Sequence, residues 1–387
     1  MTDYIAYAKA LREELHQCPE IGFDLPKTLA IVHRELDAMG IAYTDKFCKS
    51  SVVGVINDEK KAFTIGIRAD MDALPIQEVS DKPYKSKIDG QMHACGHDVH
   101  TSILLATAKQ LSDMKEQLNC RIKLVFSPAE EYVDPGCKAL AENGVMDDID
   151  CIISLHIDPG LPAGQVEVTE GGQGANSMGF TVEFCGTSSH AAYQQKGKDA
   201  IAMAVQAYNA MEVMVAKEFS PKEPRLLNIG TFHGGNTNNV ICDSCKIFGS
   251  ARSHDDEVSR ILEARIREIC QGVATMNGGK AEVKVVKFLP FVINHPEVTR
   301  RMAVAAEKIV GKENVVQQER NLGGEDFSFL CRKKPGMMFK LGTRGAAPET
   351  ALALHTCSLD VDTSCLEVGI RTFVQFVLDN MDGISFE

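Results

Sequence analysis

The 387-residue chain carries 41 Lys+Arg against 53 Asp+Glu, a net charge of −12, with 13 cysteines and no tryptophan. Its 44% hydrophobic and 24% charged content suits two domains, or one large domain with an insertion, and excludes wholesale disorder. The acid excess, unrelieved by any Lys/Arg run, argues against nucleic acid and anionic lipid as partners.

In chain order, residues 4–16 and 27–39 have helical spacing, with Leu29, Val32, Leu36 and Met39 repeating on one face. The first fifteen residues alternate apolar and charged positions and lack the basic-then-apolar pattern of a secretory signal. No apolar run approaches the roughly 18–20 residues of a membrane helix. A cytoplasmic protein is expected, in which an odd number of cysteines scattered from Cys18 to Cys365 reads as reduced thiols rather than a disulfide framework. Short β-branched runs at 52–56 and 63–67 predict strands. Residues 100–118 predict an amphipathic helix with Leu104, Leu111, Met114 and Leu118 on one face. The continuous apolar runs 122–126 and 151–155 predict strands covered on both sides. Strands separated by helices point to an α/β layer with a largely parallel centre.

Gly171, Gly172 and Gly174 mark a hinge. The segments that follow are strand 180–184, helix 200–215, strands 226–231 and 247–251, helix 257–274 and strand 281–288. That order is the β-α-β-β-α-β pattern of ferredoxin-like domains. After Pro290 come a helix at 298–310, a strand at 337–341 and a terminal helix at 365–378. The economical organisation is a discontinuous core, residues 1–172 and 289–387, with residues 173–288 inserted as a satellite domain.

The densest chemical cluster is Met92-His93-Ala94-Cys95-Gly96-His97-Asp98-Val99-His100. Cys95 and His97 flank a glycine that lets both side chains turn toward one point, and thiolate and imidazole are ligands for zinc and other transition ions. Helix capping by Asp98 or Thr101 would explain the aspartate but not the cysteine or the three histidines. A second feature, Ser127-Pro128-Ala129-Glu130-Glu131, leaves a buried strand at its carboxyl end, where α/β sheets place functional groups. One glutamate there can ligate a metal while its neighbour handles a proton. His156 ends another buried strand, Asp70 and Asp72 end the strand at 63–67, and His355 follows a Gly-rich stretch. Cys, His, Glu, His and His at the ends of separate strands suit two metals sharing a water better than one tetrahedral ion.

The remaining candidates are less telling. Cys242-Asp-Ser-Cys245 has CxxC spacing but no second pair, and a Cys95 nucleophile with a histidine partner is the competing catalytic arrangement. His16, His33 and His295 read as packing or surface residues. In the satellite domain His190 leaves a strand in a small-residue loop, Asn239 lies in a polar loop and Arg252 ends a strand; such a trio could grip an anionic substrate, or simply be solvated.

Several segments, in this order, resemble the M20 metallopeptidase/amidohydrolase family, and within it the branch that hydrolyses N-acyl amino acids. They are Leu15-His16-x-x-Pro19-Glu20-x-Gly22-Phe23, Arg68-Ala-Asp-Met-Asp-Ala-Leu-Pro75-Ile76, the run Met92 to Thr101, Pro128-Ala-Glu-Glu131, Leu155-His156, Ser189-His190-Ala-Ala, Gly234-Gly235 with Asn239-Val240-Ile241, Gly324-Glu325-Asp326-Phe327 and Leu354-His355. The resemblance implies a mixed-sheet, zinc-peptidase-like α/β catalytic domain with an inserted ferredoxin-like α+β lid that also makes a homodimer. It implies two divalent ions per subunit, zinc or manganese with cobalt or nickel as alternatives. Their ligands would be Cys95, His97, Glu131, His156 and His355, with Cys95 as the bridge. Glu130 would be the general base acting on a metal-bridging water, Asp72 would orient the site, and His190 would reach the partner subunit's active site. Asn239 and Arg252 would hold the substrate's carbonyl oxygen and carboxylate. The implied activity is metal-dependent hydrolysis of an N-acyl amino acid; a dipeptidase or carboxypeptidase differs only on the acyl side, and a silent metal-stabilised binding protein is the alternative of another class. Ser127, Gln194-Gln195 and Cys242 depart from the branch's usual residues at substrate-side or structural positions.

Overall fold

A computed structural model describes residues 3–60, 62–318 and 323–386. These fall into two compact units. The first comprises residues up to 171, residues 292–318 and residues from 326 onward; the second comprises residues 172–291 with residues 323–325.

The first unit is built on an eight-stranded mixed sheet. Its early strands are β1 (Ala42–Thr44), β2 (Val52–Ile56), β3 (Thr64–Asp70), β4 (Arg121–Ser127), β5 (Cys151–Pro162) and β6 (Val166–Glu167), joined later by Val315–Val316 and Gly336–Arg344. The spatial order is β1-β2-β4-β3-β5, then Gly336–Arg344, β6 and Val315–Val316. β4, β3, β5 and Gly336–Arg344 are mutually parallel, as the continuous apolar runs predict, whereas β2 pairs antiparallel with β4, β1 antiparallel with β2, and β6 antiparallel with Gly336–Arg344. One face packs Ile65, Ile67, Ile153, Leu155, Phe339 and Leu341 against helices α1 (Tyr4–His16), α2 (Pro26–Met39) and α3 (His97–Asp113) together with Pro296–Val310 and Cys365–Asn380. The other face packs Val125, Ile152 and Met338 against Cys137, Leu140, Phe327 and Leu330. Both faces are therefore apolar through the strand centres, and polar side chains collect at the carboxyl ends.

Three boundaries differ from the sequence expectation, and all matter for the site. β5 runs through His156 to Pro162, so His156 is a mid-strand residue rather than a strand end, held there by continued pairing with the parallel strand Gly336–Arg344. β3 runs on to Asp70, so Asp70 is a strand residue and Asp72 lies two residues beyond. Helix α3 begins at His97 rather than near His100. The reason is Gly96, whose left-handed backbone (φ 79°) makes it the N-cap, with no side-chain cap among the described residues. Asp98 and Thr101 are thus free for long-range partners.

In the second unit four strands lie in the order Arg225–Gly234, Ser244–Ser253, Asn176–Cys185, Lys280–Leu289, each antiparallel to its neighbour. Helices Ala200–Lys217 and Asp256–Met276 cover one face and bury Phe180, Val182, Phe184, Met203, Met211, Ile247, Leu262 and Ile266. This is the ferredoxin-like arrangement. Asp199 and Asp255 each accept two backbone N–H groups at the helix starts, which sets where both helices begin. Among the described residues no helix is long and apolar enough to cross a membrane.

Candidate metal centre

Beside the carboxyl ends of β3 and β4 and the middle of β5 the first unit gathers donor atoms from four separate chain segments. Cys95 Sγ, His97 and His156 lie within 4.8 Å of one another, as do Cys95, Glu131 and His355, and His97, Glu130 and Glu131. Cys95 Sγ is 3.5 Å from His156 Nε2, and His355 Nε2 is 3.0 Å from Glu131 Oε1. Cys95, His97, Glu130 and His156 are buried, whereas His355 is half-exposed. His190, Asn239 and Arg252 belong to the second unit and are described separately below.

Local backbone geometry aims these groups. Gly96 turns the chain between Cys95 and His97, and a Cβ there would stand 2.2 Å from Ile157 Cδ1. Ala129 adopts φ 57° and His355 φ 65°, conformations costing a non-glycine residue about 1–3 kcal/mol and held only where the surroundings demand them. After Ala129 the chain presents the N–H groups of Glu130 and Glu131 to the Asp72 carboxylate, at 2.9 and 3.2 Å. His355 is tied through its own N–H to Ala94 O at 2.8 Å, beside Cys95.

The residues present fit a metal pair. Neither ring nitrogen of buried His97, nor Glu131 Oε1, has a hydrogen-bond partner among the described residues. These atoms approach their neighbours without hydrogen-bond alignment, as ligand atoms do when they converge on a common ion. Electrostatics agrees. Burial disfavours charge on His97, but the nearby carboxylates of Asp70 and Asp72, the latter 3.4 Å from Nδ1, outweigh it and hold the imidazole well above its ordinary value, which favours positive charge here. Burial pushes the Cys95 thiol upward, with His97 opposing. A thiol so placed is a poor unassisted nucleophile but becomes a thiolate ligand when a cation is supplied. That weighs against the cysteine-nucleophile alternative.

The three histidines of the cluster have different fates. His100 Nδ1 lies 2.5 Å from Asp70 Oδ1, and its Nε2 accepts the Ile157 N–H at 3.0 Å, so both ring nitrogens are occupied. His93 is buried and pushed down to about 3 by that burial, but belongs to no donor group among the described residues. Only His97 is left with both nitrogens unpartnered beside other donors. His16, expected to be packing or surface, is instead part of a buried charged network. Its Nδ1 lies 2.8 Å from Asp98 Oδ2, which also accepts from Arg12 Nε at 2.9 Å, and its Nε2 is 3.4 Å from Glu78. Burial lowers His16, but Asp98 and Glu78 overcome this and raise it to about 9. Partners 82 residues apart cannot be read from local spacing. Cys242, by contrast, donates to Ser244 O and Cys245 is buried in the second unit's core. Among the described residues no two cysteines form a disulfide.

Within the second unit His190 and Asn239 are brought together. His190 pairs with Val240 in a two-stranded ladder, and Ala191 N donates to Asn239 O. His190 is exposed, and its Nδ1 accepts the Ala192 N–H at 3.0 Å, which leaves the ring proton on Nε2. The Asn239 carbonyl oxygen accepts from Thr237 Oγ1, which leaves its NH2 group as the outward donor. Arg252 is not with them. Both residues lie beyond the Ser244 end of strand Ser244–Ser253, and Arg252 stands near its other end. Eight extended residues at about 3.3 Å each put roughly 26 Å between these ends.

A two-unit chain with a mixed α/β sheet and a carboxylate, thiol and imidazole donor cluster at its strand ends is the organisation of a metallohydrolase. Residues 66–379 match the family model described as peptidase family M20/M25/M40, and the chain belongs to that family of metal-dependent amidohydrolases and peptidases. It is 34% identical over 327 residues to hippurate hydrolase of Campylobacter jejuni, covering 84% of this chain and 85% of that protein. It is also 34% identical over 362 residues to thermostable carboxypeptidase 2 of Saccharolobus solfataricus, covering 93% and 91%. Among solved structures, the Bacillus subtilis YXEP protein, described as a dinuclear metal binding peptidase from the M20 family, superposes with a TM-score of 0.84 at 29% identity, covering 98% of this chain and 99% of that one.

Proposed function

We propose that the protein is a cytoplasmic amidohydrolase that cleaves N-acyl amino acids, or similar small conjugates, to a carboxylate and a free amino acid, and that it works as a homodimer. The observation that carries this reading is the convergence of Cys95, His97, Glu131, His156 and His355 around Glu130. Two divalent ions held by those five residues would, when bound, polarise the amide carbonyl and acidify the attacking water. Cys95 belongs to two of the donor groups, which supports it as the shared ligand. Its thiolate favours zinc, while carboxylate and imidazole also suit manganese, cobalt or nickel.

Glu130, with its backbone pinned by Asp72, takes the water's proton during attack on the carbonyl carbon and returns it to the departing amine nitrogen. His190 offers Nε2–H, and Asn239 its NH2 group, to the oxygen of the tetrahedral centre. Arg252 pairs with the substrate carboxylate. The stretch of strand between Ser244 and Arg252, roughly 26 Å, is long compared with one small substrate that would have to touch all three residues within one copy. The reading therefore takes His190 and Asn239 from a second subunit, with the ferredoxin-like unit as lid and dimer contact.

That arrangement makes a complementation prediction. Glu130→Gln and His190→Ala homodimers should each be nearly inactive. After subunit exchange, random pairing should restore about one quarter of parental activity, since half the dimers then contain one intact site of two. Absence of recovery in verified mixed dimers would place His190 in its own subunit's site or outside the reaction.

A second reading, removal of a carboxy-terminal amino acid from a peptide, is favoured by the similarity to thermostable carboxypeptidase 2. A panel of N-acetyl, N-benzoyl and longer N-acyl amino acids beside N-blocked dipeptides, each with Mn²⁺, Zn²⁺ or Co²⁺, separates the two. The expected result is turnover of N-acyl amino acids that EDTA abolishes and added metal restores. Turnover of dipeptides alone would replace the first reading by the second. A metal-loaded protein that hydrolyses neither class would be a binding protein.

A further inference from the structure

One buried cation has no part in the chemistry just described. Arg68, on β3, has a fully buried side chain and uses all three donor nitrogens. Nε donates to Ser127 Oγ at 2.8 Å, Nη1 to Asp70 Oδ2 at 2.7 Å and Nη2 to Asp326 Oδ1 at 2.5 Å. From each carboxylate a chain of hydrogen bonds continues toward the metal centre.

On one side Asp70 holds His100 Nδ1, and His100 Nε2 accepts the N–H of Ile157, the residue after His156. Arg68 strengthens that side through its own carbonyl, which accepts from Ser154 Oγ two residues before His156. On the other side Asp326 Oδ2 accepts the Cys137 N–H at 2.9 Å, and the Asp326 N–H is directed at Glu130 Oε1 at 3.4 Å. Asp326 is also where the chain re-enters the first unit after residues 323–325.

We propose that Arg68 is a positioning residue that aligns Glu130, through Asp326, with the His156 segment of β5, through the Asp70–His100 pair. This rests on Glu130 acting as the base. A planar guanidinium suits the task because its fork bonds two carboxylates in fixed directions at once, which a lysine ammonium does not reproduce. Misplacing a catalytic group by about 1 Å can cost on the order of 10²-fold in rate while leaving binding nearly intact.

The test uses Arg68→Lys and Asp326→Asn in the full-length, metal-loaded enzyme. Lysine keeps the buried charge, and asparagine keeps the volume and the backbone N–H, so both limit the danger of misfolding. With N-benzoylglycine as substrate, kcat should fall about 30-fold or more while KM stays within about threefold. Both variants should keep two Mn²⁺ per chain and a native circular-dichroism spectrum. A kcat within about twofold of the parent in both variants would overturn the proposal. So would losses that merely track lost metal or lost native signal. If the parent itself hydrolyses nothing, the function has failed, yet Co²⁺-loaded protein still tests the positioning. Its visible ligand-field spectrum should change in Arg68→Lys, and an unchanged spectrum would overturn the proposal independently.

Discussion

Replacing Glu130 by glutamine is expected to lower kcat by about 10³-fold or more, at the upper end of what a positioned general base contributes, while metal content stays at the parental level. The expectation rests on a division of labour between adjacent carboxylates. Glu131 groups with Cys95 and His355, and its carboxylate is held low, against the opposing effect of burial, by His355 and His97. Glu130 is buried beside them, within the His97 and Glu131 group, and its Oε1 faces the Asp326 N–H. Glutamine preserves that shape and can still accept the hydrogen bond, but it cannot carry a proton from water to amine. Metal analysis and steady-state kinetics on one preparation separate the outcomes. Loss of turnover with loss of metal would make Glu130 a ligand, and retained turnover would remove it from the mechanism.

Gly96→Ala is expected to damage stability and the site together. Two costs add. A left-handed backbone (φ 79°) costs an L-residue about 1–2 kcal/mol, and overpacking a filled core costs about 1–3 kcal/mol more. The new methyl would meet Ile157, whose N–H is the anchor of His100 and whose neighbour is His156, so the strain falls on a ligand-bearing strand. Stability in urea should drop by about 2–5 kcal/mol, with metal affinity weakened in parallel. Gly90→Ala is the control. Gly90 has φ 74°, but a Cβ there meets nothing within 4 Å, so only the backbone cost should appear. Equal losses in the two variants would show that packing against Ile157 contributes nothing.

Much of the fold was legible because its signals are local. Continuous apolar runs of β-branched residues marked the central strands, helical spacing marked α1 and α2, and the β-α-β-β-α-β order marked the second unit. What escaped were features lacking local pattern. The two- and three-residue strands Ala42–Thr44, Val166–Glu167 and Val315–Val316 are too short to show periodicity. The start of α3 was misplaced because a left-handed glycine, rather than a side-chain cap, begins it.

The candidate site divides along the same line. Cys95, His97, Glu130, Glu131, His156 and His355 could be nominated from sequence because each is a chemically distinctive residue at the end of a recognisable element. Which histidine of the cluster joins the other donors could not be. His97, His100 and His93 are indistinguishable by type and spacing; partners from β3 and β5 set His100 apart, and the donor atoms folded around His97 set it apart from His93, whose ring nitrogens also lack hydrogen bonds among the described residues. Arg68 and Asp326 were visible within motifs but carried no role, since their pairing spans 258 residues.

Composition and residue order therefore determined the layers of this protein, the identity of its donor atoms and the chemistry they can support, because those depend on side-chain type and short-range period. The tertiary structure alone decided which donors lack an aligned hydrogen bond, how the carboxylates are shared between a buried arginine and the histidines, and that Arg252 stands toward the opposite end of its strand from the loops that carry His190 and Asn239. Those are matters of distance and hydrogen-bond saturation, which exist only once separate segments have been folded onto one another.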